Sequence, residues 1–183
     1  MPIKPRPPLN AASLRELALA YVSRYATSRA RLLADFMRKL RERGWDDDQS
    51  PATAADQMAD AMVWLHFVDD RAFAGMKADG LARRGYGPRR VRQALDASGI
   101  GAEDAHDALQ AARESAEQAA LAFARRRRIG PYASSPPDPR QREKAMGAML
   151  RAGHDYALAR RILDLPLKSV QSEDGYSGVE GQA

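Results

Sequence analysis

Apolar residues along this chain fall in short groups spaced i, i+3, i+4 and i+7, the period of one face of an α-helix. Leu14, Leu17, Ala18, Tyr21 and Tyr25 form one group, Leu32, Leu33, Phe36, Met37 and Leu40 a second, and Met58, Ala61, Met62 and Leu65 a third. The pattern returns with Phe73, Ala74, Ala78 and Leu81, then Val91 and Leu95, then Ala105, Ala108, Leu109 and Ala112. It returns once more with Ala116, Ala119, Ala120 and Phe123, then Ala145, Met146, Met149 and Leu150, then Leu158, Ala159, Ile162 and Leu165. No stretch sustains the period of two that a half-buried strand requires, so the spacing predicts helices and no strands.

The middle helix of each set ends on the same phrase: an apolar residue, three residues, glycine, then a bulky residue. It reads Leu40 to Gly44-Trp45, Leu95 to Gly99-Ile100 and Met149 to Gly153-His154. Glycine just past a periodic stretch is the usual helix stop, and three at nearly equal spacing indicate a repeated unit. The starts agree. Ser28, Gly87 and Asp138 suit the N-cap, and Pro88 and Pro139 follow two of them at the first helical position. Gly75 and Gly80 each cost roughly 1 kcal/mol against alanine inside a helix, which weakens the first helix of the middle set.

The expected fold is all-α: tandem three-helix bundles forming a short curved solenoid, since one unit of this size buries too little alone. Repeat 1 is expected over residues 13–68, repeat 2 over 69–112 and repeat 3 over 114–165, with a proline-rich insertion at 130–139. Residues 1–10 and 166–183 are polar and short of apolar side chains, and are expected to be disordered.

Composition narrows the class. The chain has 183 residues and no cysteine, which removes disulfides and cysteine metal sites and suits a reducing cytoplasm. No apolar run approaches the roughly 20 residues of a membrane span, and the N-terminus lacks the apolar core of a secretory signal. A soluble, cytoplasmic monomer is expected. The net charge of +5 is modest, but it is segregated. Residues 83–92 hold Arg83, Arg84, Arg89, Arg90 and Arg92 with no acid, and Arg125, Arg126, Arg127 and Arg128 are consecutive. Such clusters favour an anionic partner, although arginines also line solvated helix faces and complement a helix C-terminus.

Three constellations bear on chemistry. Asp69 and Asp70 near His66 offer two carboxylates and one imidazole, the remnant of a hydrolase-like site; helix capping is the simpler reading. The Gly85-Tyr86-Gly87 phrase lacks the strand and third glycine of a dinucleotide fingerprint. It is read as a tight corner bearing arginines suited to phosphates or carboxylates, with Tyr86 packing the corner or stacking on a base. His106 and His154 stand alone and are read as surface or capping residues. No catalytic, metal or cofactor motif is present, so no enzyme and no cofactor are expected.

Residues 68–100 resemble the central repeat of the RecX family. They supply Asp69-Asp70-Arg71-Ala72-Phe73-Ala74, then Gly85-Tyr86-Gly87-Pro88-Arg89-Arg90-Val91, then Leu95 to Gly99-Ile100. The likeness extends over about residues 13–165, and the outer repeats depart from it: residues 28–44 are about one helical turn long of the pattern, and repeat 3 carries the insertion. The resemblance implies a non-enzymatic regulator of recombination, repair and the SOS response. Such a regulator lodges in the groove of the RecA filament on single-stranded DNA and mostly inhibits ATP hydrolysis and strand exchange. The charge clusters and the Gly-Pro corner place the expected partner or nucleic-acid surface at Arg83, Arg84, Tyr86, Arg89, Arg90, Arg92 and Arg125, Arg126, Arg127 and Arg128. A general helical nucleic-acid-binding protein, independent of RecA, is the alternative.

Overall fold

The computed structural model describes residues 7–167. Among them run nine helices: α1 Ala11–Val22, α2 Arg29–Arg43, α3 Pro51–Trp64, α4 Asp70–Arg83, α5 Pro88–Asp96, α6 Ala102–Glu114, α7 Ala116–Arg127, α8 Pro139–Arg151 and α9 Tyr156–Leu163, with a 3-10 turn Gly130–Tyr132 before α8. The single β-type contact among them is an isolated bridge between Leu9 and Trp45. None of these helices is long and apolar enough to cross a membrane.

The starts follow the cap chemistry. Ser28 Oγ accepts from the Arg31 amide, and Asp138 forms a reciprocal capping box with Gln141. Gly87 caps α5 without a side chain, with Pro88 at the first position. The stops close with amide-to-carbonyl bonds reaching back five residues, Ile100 to Leu95 at 3.2 Å and His154 to Met149 at 3.1 Å. α4 runs through both Gly75 and Gly80, because tertiary burial of Phe73, Ala74, Ala78 and Leu81 overrides their local cost.

Buried apolar residues gather in three clusters. The first centres on Leu14, Leu32, Phe36, Ala55, Ala59 and Met62, the second on Ala74, Ala78, Val91, Leu95 and Ala105, the third on Ala120, Phe123, Met149, Ala159 and Ile162. Alanine supplies half of the second cluster, so α4 and α6 pack at close range. In α9, Leu163 is buried where period alone pointed to Leu165, which lies beyond the helix and is exposed.

Neighbouring clusters meet end to end. The N-terminus of α2 receives the α5–α6 turn: Ser28 Oγ donates to the Ser98 carbonyl at 2.5 Å, and the Arg29 amide donates to Asp70 Oδ1 at 2.8 Å. The N-terminus of α5 receives the α8–α9 turn in the same manner. There the Gly87 amide donates to the Ala152 carbonyl at 2.9 Å and the Arg89 amide to the Gly153 carbonyl at 3.2 Å. At the start of α5, leftover amides meet carbonyls just past the end of α8; at the start of α2 a cap hydroxyl and a carboxylate mediate the equivalent contact. The approach is close enough to exclude a side chain: a Cβ on Gly153, whose φ is +91°, would lie 2.4 Å from the Arg90 nitrogen.

A third version sits at Gly44 and corrects the expectation of disorder for residues 7–10. Leu9 is completely buried, its amide donating to the Gly44 carbonyl at 3.0 Å and its carbonyl accepting from Asp46 at 2.8 Å. Arg43 reinforces it by donating to the Pro7 carbonyl. This segment uses the Gly44 carbonyl just past α2, as the starts of α2 and α5 use the Ser98, Ala152 and Gly153 carbonyls just past α5 and α8. Residues 1–6 and 168–183, also expected to be disordered, lie outside the described residues.

Gly153→Ala combines a backbone collision with a strained φ, and is expected to lower stability by about 3 kcal/mol. Gly75→Ala, with nothing within 4 Å of the added carbon, is expected to raise it by up to about 1 kcal/mol. Urea midpoints of the two variants against the parent check both signs.

Candidate partner and nucleic-acid interface

Arg83 and Arg84 close α4, Arg89, Arg90 and Arg92 open α5, and Arg125, Arg126 and Arg127 close α7, with Arg128 as its left-handed cap at φ 53°. The α4–α5 corner and the end of α7 are brought together at Tyr86. The Tyr86 ring is half-buried and packs against both the second and third apolar clusters. The Arg84 guanidinium lies 5.8 Å from the ring centre and that of Arg126 5.9 Å. Arg126 and Arg127 also stand over Phe123, at 5.9 and 5.7 Å. Guanidinium groups held against aromatic faces keep their outward edges for an anion.

Beside Tyr86 lies a groove of about 260 Å³, lined by Tyr86, Phe123, Arg126 and Arg127 on one wall and by Lys144, Ala148, Arg151 and Ala152 on the other. Lys144 and Arg151 were not among the residues singled out from the sequence. The signal for them is helical period: Arg140, Lys144 and Arg151 fall at i, i+4 and i+11, one face of α8. The acidic neighbour Glu143 lines the adjoining surface together with Arg140, Lys144 and Arg151 and does not line the Tyr86 groove.

The remaining arginines do not join this groove. Arg89 is 3.6 Å from Asp155, the cap of α9, so an acid distant in sequence moderates its charge. Arg90 reaches Gln93. Arg83, Arg92 and Arg125 are exposed. The α5 amides cannot take a phosphate as free helix starts do, because Ala152 and Gly153 already occupy those of Gly87 and Arg89.

The two aspartates have separate structural duties. Asp69 caps its own helix, accepting from the Ala72 amide at 2.8 Å. Asp70 instead accepts from the Arg29 amide across the first joint. Burial pushes its carboxyl above the usual carboxylate range, while the Arg29 amide opposes the rise. No grouping of three or more His, Asp or Glu fit to hold a metal occurs among the described residues.

His154 is the residue the sequence misplaced. It is read there as a surface or capping residue, yet it is completely buried, edge-on to Phe123 at 5.7 Å between ring centres. Nε2 lies 3.0 Å from the Gly85 carbonyl, so Nε2 carries the proton and donates. Nδ1 is buried without a partner. The docking of the α8–α9 turn onto the Gly85–Gly87 corner draws the ring inside. His106 is exposed.

Burial holds the His154 imidazole below its ordinary value of about 6.5, against the opposing pull of the Gly85 carbonyl. With the folded value depressed, its contribution is present above about pH 6.5 and is lost as pH falls through the lowered value. Glutamine can donate to the same carbonyl but does not titrate. The urea midpoints of the parent and His154→Gln should therefore differ by a constant above pH 6.5. Below it, the parent should fall faster.

Residues 69–109 match the family model for the second three-helix domain of RecX. The chain is 29% identical over 164 residues to the regulatory protein RecX of Myxococcus xanthus, covering 82% of this chain and 84% of that protein. It is 27% identical over 158 residues to the regulatory protein RecX of Agrobacterium fabrum, covering 86% and 85%. Its fold is similar to a RecX crystal structure from Lactobacillus salivarius, with TM-score 0.65, 17% identity and coverage of 84% of this chain and 94% of that one. A second crystal structure of regulatory protein RecX gives TM-score 0.66 at 23% identity, over 85% and 73%. The resemblance to the RecX family is shown by these matches, and the helical-repeat fold is shared with its solved structures.

Proposed function

We propose that this chain is a RecX-type regulatory protein that binds the RecA filament on single-stranded DNA and mostly inhibits RecA ATP hydrolysis and strand exchange. The observation that supports this reading best is the basic groove around Tyr86, set where the second and third repeats lock together. It presents Arg126, Arg127, Lys144 and Arg151 beside the segment that matches the family model. Arg83, Arg89, Arg90, Arg92, Arg125 and Arg128 extend that surface in the proposal.

The mechanism follows from rigidity and charge. Joints made of hydrogen bonds to and from helix ends fix the repeats against one another, so the cations are presented as one preorganised surface. A filament offers a repeating pattern of acidic protein surface and phosphate, which such a surface can bridge across protomers. The regulator binds one filament state better than others, and that difference in affinity restrains turnover without chemistry of its own. The protein acts in the cytoplasm as a monomer without a cofactor. The second reading, a general nucleic-acid binder, is favoured by the pairing of Tyr86 with two guanidinium groups, a platform suited to an unstacked base.

The double variant Arg126→Ala/Lys144→Ala distinguishes the two. Both side chains are exposed, so stability should shift by only about 0.5 kcal/mol per site. Affinity for RecA filaments should fall about tenfold or more, with weaker inhibition of ATP hydrolysis. Affinity for naked single strands should fall less. An equal loss on both, with the salt slope reduced by roughly 0.7 per phosphate contact, would establish the second reading. Full inhibition by the double variant would move the functional surface off the groove.

A further inference from the structure

On the far side of Lys144 from the Tyr86 groove, a cavity of about 350 Å³ opens between the end of α7, residues 129–137, α8 and Leu163 of α9. Its volume falls in the range of roughly 300–1,000 Å³ typical of ligand and anchor pockets. The long connection creates it. Eleven residues separate α7 from α8, whereas α4 and α5 are separated by four. Pro131 is buried at the base of that connection, in the 3-10 turn Gly130–Tyr132 that fixes its first residues.

The lining has a clear division. Ile129, Ala145, Ala148 and Leu163 make an aliphatic floor. Arg127, Arg128, Arg142 and Lys144 stand around it, and no carboxylate lines it. Arg142 is oriented from behind by Asp164, which Arg160 also approaches at 3.7 Å. No ion pair within 4 Å engages Arg127, Arg128 or Lys144 among the described residues. An apolar floor ringed by four cations, three of them without an ion-pair partner among the described residues, rejects a cationic or purely polar ligand, and a bare anion would leave the floor unused.

We infer that this cavity is a docking site for an acidic segment of a partner protein, anchored by aliphatic side chains. The floor takes the aliphatic anchors, and the carboxylates on either side meet the guanidinium forks and the lysine. A nucleic acid is the poorer match here. Bases stack on aromatic rings, and those stand in the neighbouring groove, at Tyr86 and Phe123, with none lining this cavity. The inference shares Arg127 and Lys144 with the surface proposed above but does not depend on RecA being the partner.

Two variants test it without touching the core. Arg128→Glu reverses a charge at the rim, and Ser135→Trp places bulk at the exposed mouth. The probe is a fluorescein-labelled peptide of about a dozen residues, glutamate-rich with two leucines at i and i+4. Its leucine-to-serine counterpart, inorganic phosphate and an oligothymidylate are competitors. Fluorescence anisotropy on the full chain should show saturable peptide binding, weakened about tenfold or more by each variant. The serine counterpart should compete poorly and phosphate not at all, with helical circular dichroism unchanged. Absence of binding, equal competition by the serine counterpart, or insensitivity to both variants would overturn the inference. Binding of the oligothymidylate alone, lost in both variants, would assign the cavity to nucleic acid instead. Because the assay contains no RecA, its failure leaves the filament reading standing, and failure of that reading leaves the cavity's chemistry standing.

Discussion

A helix leaves amide donors without partners at its start and carbonyl acceptors without partners at its end. This protein connects its three small apolar clusters by joining one set to the other. The Gly87 and Arg89 amides meet Ala152 and Gly153 in this way; the Ser28 hydroxyl meets the Ser98 carbonyl in a variant of it, and Leu9 against Gly44 repeats it within the first cluster. The partial charges at the two helix ends also attract, so each joint satisfies hydrogen bonds and aligns favourable electrostatics together. Units of this size bury too little apolar surface to be robust alone. Everything placed across a joint, including the corner that carries Tyr86, therefore depends on that contact.

The sequence made the local half of this design legible. N-caps at Ser28, Gly87 and Asp138 and stops at Gly44, Gly99 and Gly153 can be read directly, because each is decided by residues within one turn. The other half is set by partners far along the chain. Asp70 looks like a cap for its own helix and serves a helix 41 residues earlier. His154 follows a helix stop and looks exposed, until the Gly85 carbonyl, 69 residues away, gives it a reason to be inside. Leu9 sits among prolines in a segment of unordered composition, and only the Gly44 carbonyl reveals its place.

The candidate site divides in the same way. The consecutive arginines at 125–128 and the Arg84-Tyr86 pair are visible as composition and as a phrase. Lys144 and Arg151 are dispersed among apolar and acidic neighbours, and become part of one surface only when α8 lies beside α7. Conversely, the dense arginines that open α5 look like the centre of a binding surface. In the folded chain their backbone is committed to the joint, and Arg89 has an acidic neighbour.

The segment at Leu9 has a consequence for how such a protein can change in length. It occupies the Gly44 carbonyl, the kind of acceptor that the starts of α2 and α5 use elsewhere in the array. A gene duplication that docks a further unit on that carbonyl must first displace Leu9. One inserted between existing units needs only to reproduce a joint already in use. Growth of the array is thereby easier at the joints already in use than at Gly44.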